Sequence, residues 1–159
     1  MDSDPDLELI PQPRGPADRA AVEALIPHRD PFLFVDRIVE QSDDRVVTEW
    51  HVRADLDAFR GHYPEKPVLP GVLISEFCFQ TGAILIYGRS AADRSAQGVP
   101  VMTKIEEARF RRMVEPGAKL RAEVELTDQL ANARYLSARV TEGDKLVARL
   151  SFVLAHTPA

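Results

Sequence analysis

The sequence predicts an α+β fold in which a curved antiparallel sheet wraps around one long, buried helix. Residues 72–87 are almost wholly apolar and carry a single charge, Glu76. A helix that is apolar on all sides must be enclosed by protein. Much of the remaining chain alternates apolar and polar side chains, as strands do when one face lies in a core. With 159 residues, 45% of them hydrophobic, the chain is long enough for one such domain and short for two.

The other elements follow from local patterns. An Ala-rich helix is predicted at 17–25, and Pro27 ends it because a residue before proline is pushed out of the helical region. Strands are predicted at 32–35, 45–52, 99–113, 119–126, 133–140 and 145–154. The last two are joined by TEGD, in which Gly143 supplies the positive φ of a hairpin turn. One long helix inside such a sheet is the hotdog fold.

Composition excludes several classes of function. Residues 1–16 are acidic and rich in Pro and Gly, and we assign them to a flexible lead-in before a domain at 17–159. The chain has a net charge of −5 and lacks the excess of basic residues that nucleic-acid binding requires. Cys78 is the only cysteine and no secretory signal is read, so we expect a cytoplasmic protein. The apolar helix is marginal in length for a bilayer and carries Glu76, so we expect no membrane span.

The loop at 61–71, GHYPEKPVLPG, is the first candidate for chemistry. Its three prolines restrict the backbone and can hold a side chain in place. His62 is that side chain, and imidazole is the usual general base near neutral pH. The alternative is that His62 only hydrogen-bonds backbone groups.

Glu76 is the second candidate. A carboxylate within an apolar helix costs several kcal/mol to desolvate, so it must be paired, be protonated or line a cavity. If it lines a substrate tunnel, burial raises its pKa and lets it act as a general acid. The alternative is a structural pairing with Arg29 or Arg37. Gln80 lies one turn further on and could hydrogen-bond Glu76 in a structural role.

Backbone N–H groups complete the predicted site. At the start of the helix, the N–H groups of Gly71 and Val72 lack helical partners and can polarise a carbonyl oxygen. The sequence has no GxGxxG, Walker, HExxH or GxSxG motif and no cluster of metal ligands, so we expect no cofactor and no metal.

Three stretches carry a family resemblance. They are IPHRDPFLFVDR at 26–37, the active-site segments FRGHYP at 59–64 and PVLPGVLISE at 67–76 with Gln80, and RFRR at 109–112 followed by EPG at 115–117. In this order and spacing they resemble the FabZ type of (3R)-hydroxyacyl-[acyl carrier protein] dehydratase over residues 24–155. The resemblance implies His62 as the catalytic histidine, Glu76 as the catalytic acid, and Phe59 and Tyr63 as supporting residues.

The resemblance also implies partners. In this family one site takes its histidine and glutamate from different subunits, so a homodimer is implied, and such dimers often assemble into hexamers. The substrate is an acyl group on an acidic carrier protein. Four basic residues could form its landing site: Lys104, Arg109, Arg111 and Arg112. The alternative is an ordinary solvated strand face.

Two bulky residues depart from the family pattern. Phe77 and Phe79 stand where small residues are usual, and they could shorten the acyl tunnel or repack the dimer. Two other functions remain open. One is a hotdog thioesterase, which would use a carboxylate to direct water at the thioester carbonyl. The other is a non-catalytic acyl-thioester-binding or scaffold protein that has lost turnover through Phe77, Phe79 and altered loops.

Overall fold

The computed structural model describes residues 16–89 and 99–157. The predicted lead-in at 1–16 lies outside the described residues except for Pro16, the first residue of a helix. The helices are α1 (Pro16–Leu25), α2 (Ala58–Gly61) and α3 (Gly71–Gly88). The strands are β1 (Arg37–Gln41), β2 (Arg45–His51), β3 (Val99–Phe110), β4 (Lys119–Leu130), β5 (Ala133–Glu142) and β6 (Lys145–Thr157).

The strands form one antiparallel sheet in the order β1-β2-β4-β5-β6-β3. The predicted alternation is confirmed in β4, where Leu120, Ala122 and Val124 are buried. Gly143 has the predicted positive φ, +60°, in the turn between β5 and β6. Strand β3 lies at one edge of the sheet. The six-stranded antiparallel sheet and its long helix confirm the predicted α+β hotdog fold.

Helix α3 packs against the sheet through its middle and its C-terminal half. At Gly82 an added Cβ would lie 3.1 Å from a ring carbon of Phe152, so glycine permits the close approach. The helix is long and apolar enough to cross a membrane by length and composition alone, but 67% of it is buried inside the fold. Its first turn is different, because Val72 is 75% exposed. Protein therefore encloses most of α3 but leaves its first turn open.

The prediction of a strand at 32–35 is wrong. The Phe34 N–H donates to Gln80 Oε1 at 2.8 Å, and the Phe32 carbonyl accepts from Gln80 Nε2 at 2.9 Å. A side chain thus makes hydrogen bonds that a neighbouring strand would otherwise make. The first strand begins only at Arg37.

Candidate active site

His62 is held at the end of a short helix. Phe59, in α2, is buried and anchors that helix in the core. The His62 N–H donates to the Ala58 carbonyl at 3.1 Å and closes the turn. Tyr63 follows with φ +51°, is 67% exposed, and sets its ring edge-on to His62 at 4.7 Å between centroids. His62 therefore lies near the surface, directly after a short helix that buried Phe59 fixes to the core.

The His62 ring has a defined hydrogen bond. Its Nδ1 lies 2.8 Å from the Val68 carbonyl oxygen. A carbonyl only accepts, so we infer that Nδ1 carries the ring proton. The next residue, Leu69, donates its N–H to the Val114 carbonyl at 2.8 Å and ties this loop to the body of the domain. In the neutral ring, Nε2 then has a free lone pair and can accept a proton.

Glu76 lies in the second turn of α3, with 21% of its side chain exposed. The predicted alternative of an arginine partner is wrong. Arg37 pairs with Glu49 at 2.6 Å, and Arg29 donates to three backbone carbonyls, one in the last turns of α1 and two in the loop that follows it. Burial raises the pKa of Glu76, and the hydrogen bond from Gln80 opposes that rise in part. A carboxyl group in this setting retains its proton at higher pH than usual.

Gln80 decides which Glu76 oxygen bears that proton. Its amide is oriented by Phe34 N–H on one side and the Phe32 carbonyl on the other, so Nε2 is a donor toward Glu76. That donor lies 3.1 Å from Glu76 Oε1. In a neutral carboxyl group the carbonyl oxygen is the stronger acceptor of the two oxygens. We therefore place the Glu76 proton on Oε2.

A histidine that the sequence motifs did not single out lies beside Glu76. His28 Nε2 is 3.7 Å from Glu76 Oε1. The two residues are far apart in sequence, and no local pattern signals their contact. Their shared presence in the family-like stretches was the only available hint.

The start of α3 is open to a ligand. Pro70 precedes the helix, and within the part of the chain that the structure describes, the N–H groups of Gly71 and Val72 have no hydrogen-bond partner. The Phe110 ring lies against Gly71, where an added Cβ would be 3.3 Å from its carbons. Two free donors at a helix N-terminus suit a carbonyl oxygen or another partial negative charge.

The two phenylalanines that follow Glu76 occupy different environments. Phe77 is fully buried and packs on Trp50 with ring centroids 5.5 Å apart. Phe79 is half-buried and meets Phe152 edge-on at 5.0 Å. Phe77 therefore packs in the core, and the effect of both rings on an acyl tunnel stays a prediction.

The two candidate catalytic side chains are not bonded to each other in the part of the chain that the structure describes. Across residues 16–89 and 99–157, no hydrogen bond or ion pair joins His62 to Glu76, and no group of three or more His, Cys, Asp or Glu side chains is placed to hold a metal ion. The four predicted docking residues, Lys104, Arg109, Arg111 and Arg112, are all exposed on or just after β3.

Comparison with known proteins identifies the family. The model of the FabA-like domain matches residues 26–151. A 3-hydroxyacyl-[acyl-carrier-protein] dehydratase FabZ from Thermotoga maritima is 37% identical over 133 residues, which are 84% of this chain and 93% of that protein. The chain belongs to the FabZ-type dehydratase family. The FabZ of Desulforamulus reducens is 40% identical over 139 residues, covering 87% of this chain and 96% of that protein.

A solved structure supports the fold of this FabZ-type chain. The dehydratase heterocomplex ApeI:P from Xenorhabdus doucetiae has a TM-score of 0.74 and 16% identity, covering 86% of this chain and 91% of that one. At this identity the likeness concerns the fold. The matched FabA-like region includes His62, Glu76 and the His28 loop, so the geometry described above lies within the family domain.

Proposed function

We propose that this protein dehydrates a 3-hydroxyacyl thioester, carried on acyl carrier protein, to the trans-2-enoyl thioester in fatty-acid or related lipid biosynthesis. The observation that carries the proposal is the hydrogen bonding of the two side chains, from which we infer their proton positions. The Val68 carbonyl leaves His62 Nε2 free to accept a proton, and Gln80 leaves Glu76 Oε2 as the oxygen that bears one. The FabZ relatives carry this activity in their names.

The reaction follows from these two groups. The thioester carbonyl accepts hydrogen bonds from the N–H groups of Gly71 and Val72, which acidifies the protons on C2. His62 Nε2 removes one of them, and Glu76 Oε2 donates its proton to the departing C3 hydroxyl. The C3–O bond breaks as the C2–C3 double bond forms, and water leaves. No cofactor enters this scheme.

We propose that two copies of the chain complete the site. Among the described residues no hydrogen bond or ion pair joins His62 to Glu76. The edge strand β3 is exposed along 101–110. Its exposed apolar side chains are Val101, Met102, Ile105 and Phe110. A long edge strand with exposed apolar side chains is a template for pairing with another chain. We propose a homodimer in which two β3 strands pair and each His62 meets the partner's carboxyl group, with hexamers as a further assembly.

We propose that the acidic carrier protein docks beside β3. Exposed Arg109 lies directly opposite Arg149 in β6, which lies opposite Arg139 in β5. This row lines a groove of about 760 Å³ together with Arg111, and acidic side chains such as Glu107 share it. Like charges facing each other across strands are unfavourable unless an anion joins them. Arg109 already forms an ion pair with Glu107, and an acidic partner would add counter-charge for the other arginines of the row.

Charge reversal tests this docking surface. We expect Arg109→Glu combined with Arg111→Glu to raise the KM for carrier-protein-bound substrate about tenfold or more, because like charges repel the carrier. The KM for a small pantetheine thioester should stay unchanged, and the difference should shrink at high salt. Arg53→Glu, a reversal at an exposed arginine outside the row, is the control. An equal rise in KM for both substrates would contradict docking at this surface.

Product identity tests the proposed function. Purified protein is incubated with 3-hydroxyacyl-acyl carrier protein of several chain lengths, and the products are followed by mass spectrometry. We expect a carrier-bound product lighter by one water. Release of free acid would instead indicate a thioesterase, and bound but unconverted substrate at every length would indicate a scaffold protein. Either result would overturn the proposal.

We also propose a cytoplasmic location. A free, buried thiol at Cys78 is compatible with a reducing compartment. Fractionation of cells expressing the chain, with the protein traced by antibody, would test this.

A further inference from the structure

His28 stands beside the candidate acid in a fixed loop. It follows α1, and Arg29 holds this loop by donating to the carbonyls of Glu23, Ile26 and His28 at 2.6–2.9 Å. The His28 side chain is 28% exposed, and its Nε2 lies 3.7 Å from Glu76 Oε1. The backbone therefore aims the imidazole at Glu76.

The surroundings of the two ring nitrogens differ. Nδ1 is buried and, among the residues that the structure describes, has no hydrogen-bond partner. Nε2 faces Glu76 Oε1, the oxygen that already accepts from Gln80. A neutral imidazole has one proton, and only the Nε2 side offers it an acceptor. We infer that His28 is the Nε2–H tautomer.

We propose that His28 is a positioning residue for Glu76: its Nε2–H and the Gln80 amide both face Oε1, and together they hold the acidic proton on Oε2. The proposal deepens the dehydratase function above and rests on it for its kinetic consequence. The separation of 3.7 Å exceeds a hydrogen bond. It would shorten when substrate closes the site, since catalytic hydrogen bonds are often long in empty enzymes.

The electrostatics favour this arrangement. Burial, and secondarily the charge of Arg29, lower the pKa of His28, so the ring is neutral at neutral pH. A charged imidazolium at this distance would favour ionised Glu76 and would lower its pKa. The neutral ring can donate a hydrogen bond to Glu76 and lowers its pKa less than a charged ring would. Arg29 on the loop and Gln80 on α3 are the other charged and polar groups acting on the pair.

The test compares two substitutions of similar size. His28→Leu fills the space and removes the donor, whereas His28→Gln keeps an N–H donor near the position of Nε2. The first readout is the titration of Glu76 by carbon-13 NMR in glutamate-labelled protein, with the resonance assigned by its loss in Glu76→Gln. The second is kcat and KM for the 3-hydroxyacyl substrate. Thermal unfolding shows that each variant is folded.

We expect His28→Leu to raise the pKa of Glu76, because a donor that stabilises the carboxylate is gone. It should also lower kcat about five- to tenfold with little change in KM, the effect of one lost hydrogen bond. His28→Gln should return both quantities toward the wild-type values. If His28→Leu is poorly folded, His28→Ala, which also lacks the donor, replaces it in both measurements with the same expected result.

Two results would overturn the proposal. One is a Glu76 titration that does not change in His28→Leu. The other is an equal loss of kcat in both variants, which would mean that the loop rather than the donor matters. The NMR titration does not require turnover, so it tests the His28–Glu76 coupling even if the wild-type protein yields no enoyl product. That absence of product would count against the dehydratase function alone.

Discussion

Replacing Glu76 with glutamine is expected to lower kcat by about 10²–10⁴-fold, the usual contribution of a general acid. The substitution removes the acidic proton and leaves the rest of the site nearly unchanged. A glutamine side chain keeps an oxygen at the Oε1 position, where Gln80 donates at 3.1 Å, and replaces only the proton-bearing Oε2. Steady-state kinetics with a 3-hydroxyacyl thioester measure the loss.

We expect the Glu76→Gln variant to remain folded. A buried carboxyl group with a raised pKa destabilises the folded state when it ionises, and an amide does not ionise. Glu76→Gln should therefore unfold no more easily than wild type at neutral pH. If kcat stayed within about threefold of the wild-type value in a folded variant, Glu76 would not be the general acid.

Replacing His62 with asparagine should cause a loss of similar size, about 10²–10⁴-fold in kcat. Asparagine can place an N–H donor where His62 Nδ1 now lies and can keep the bond to the Val68 carbonyl. What it lacks is the Nε2 lone pair, the proposed base. His62→Asn therefore removes the proposed base and keeps the hydrogen bond to the Val68 carbonyl.

Tyr63→Phe provides a matched control in the same loop. Tyr63 is 67% exposed and touches His62 only by its ring edge, which phenylalanine retains. We expect it to change kcat much less than His62→Asn does. A His62→Asn variant that retained most of its kcat would show that His62 serves the loop rather than the chemistry.

The parts of the fold that could be predicted were those with local signals. The alternation in β4 and the glycine of the β5–β6 turn depend on neighbouring residues, and both are present as predicted. The strand prediction at 32–35 failed for the opposite reason. The Gln80 side chain hydrogen-bonds the backbone of Phe32 and Phe34. Gln80 is remote in sequence, so a pattern read from the residues around 32–35 cannot include it.

In the candidate site, too, residues with a local sequence signal could be predicted and contacts made by packing could not. Glu76 was recognisable because a lone charge in an apolar helix demands an explanation, and His62 because prolines surround it. Gln80 was predictable as a partner of Glu76 because it lies one turn further along the helix, and that hydrogen bond is present.

The alternative partners of Glu76, Arg29 and Arg37, were plausible by charge alone, and they bind elsewhere. His28 instead lies beside Glu76, brought there by the path of the loop after α1. Such long-range contacts depend on packing, which the sequence does not display.

We propose that His62 of one chain and Glu76 of another form one dehydratase site, and a mixed dimer can show whether they do. Chains carrying His62→Asn and Glu76→Gln are given different tags, co-expressed, and purified as the heterodimer. One of its two sites then combines an intact His62 with an intact Glu76, while the other has neither.

We predict that this heterodimer forms enoyl product at about half the rate of the wild-type dimer, far above either variant alone. If both residues came from the same chain, neither site would be intact, and the heterodimer would be as inactive as its parents. That result, or the failure of the two tagged chains to associate, would contradict the shared site.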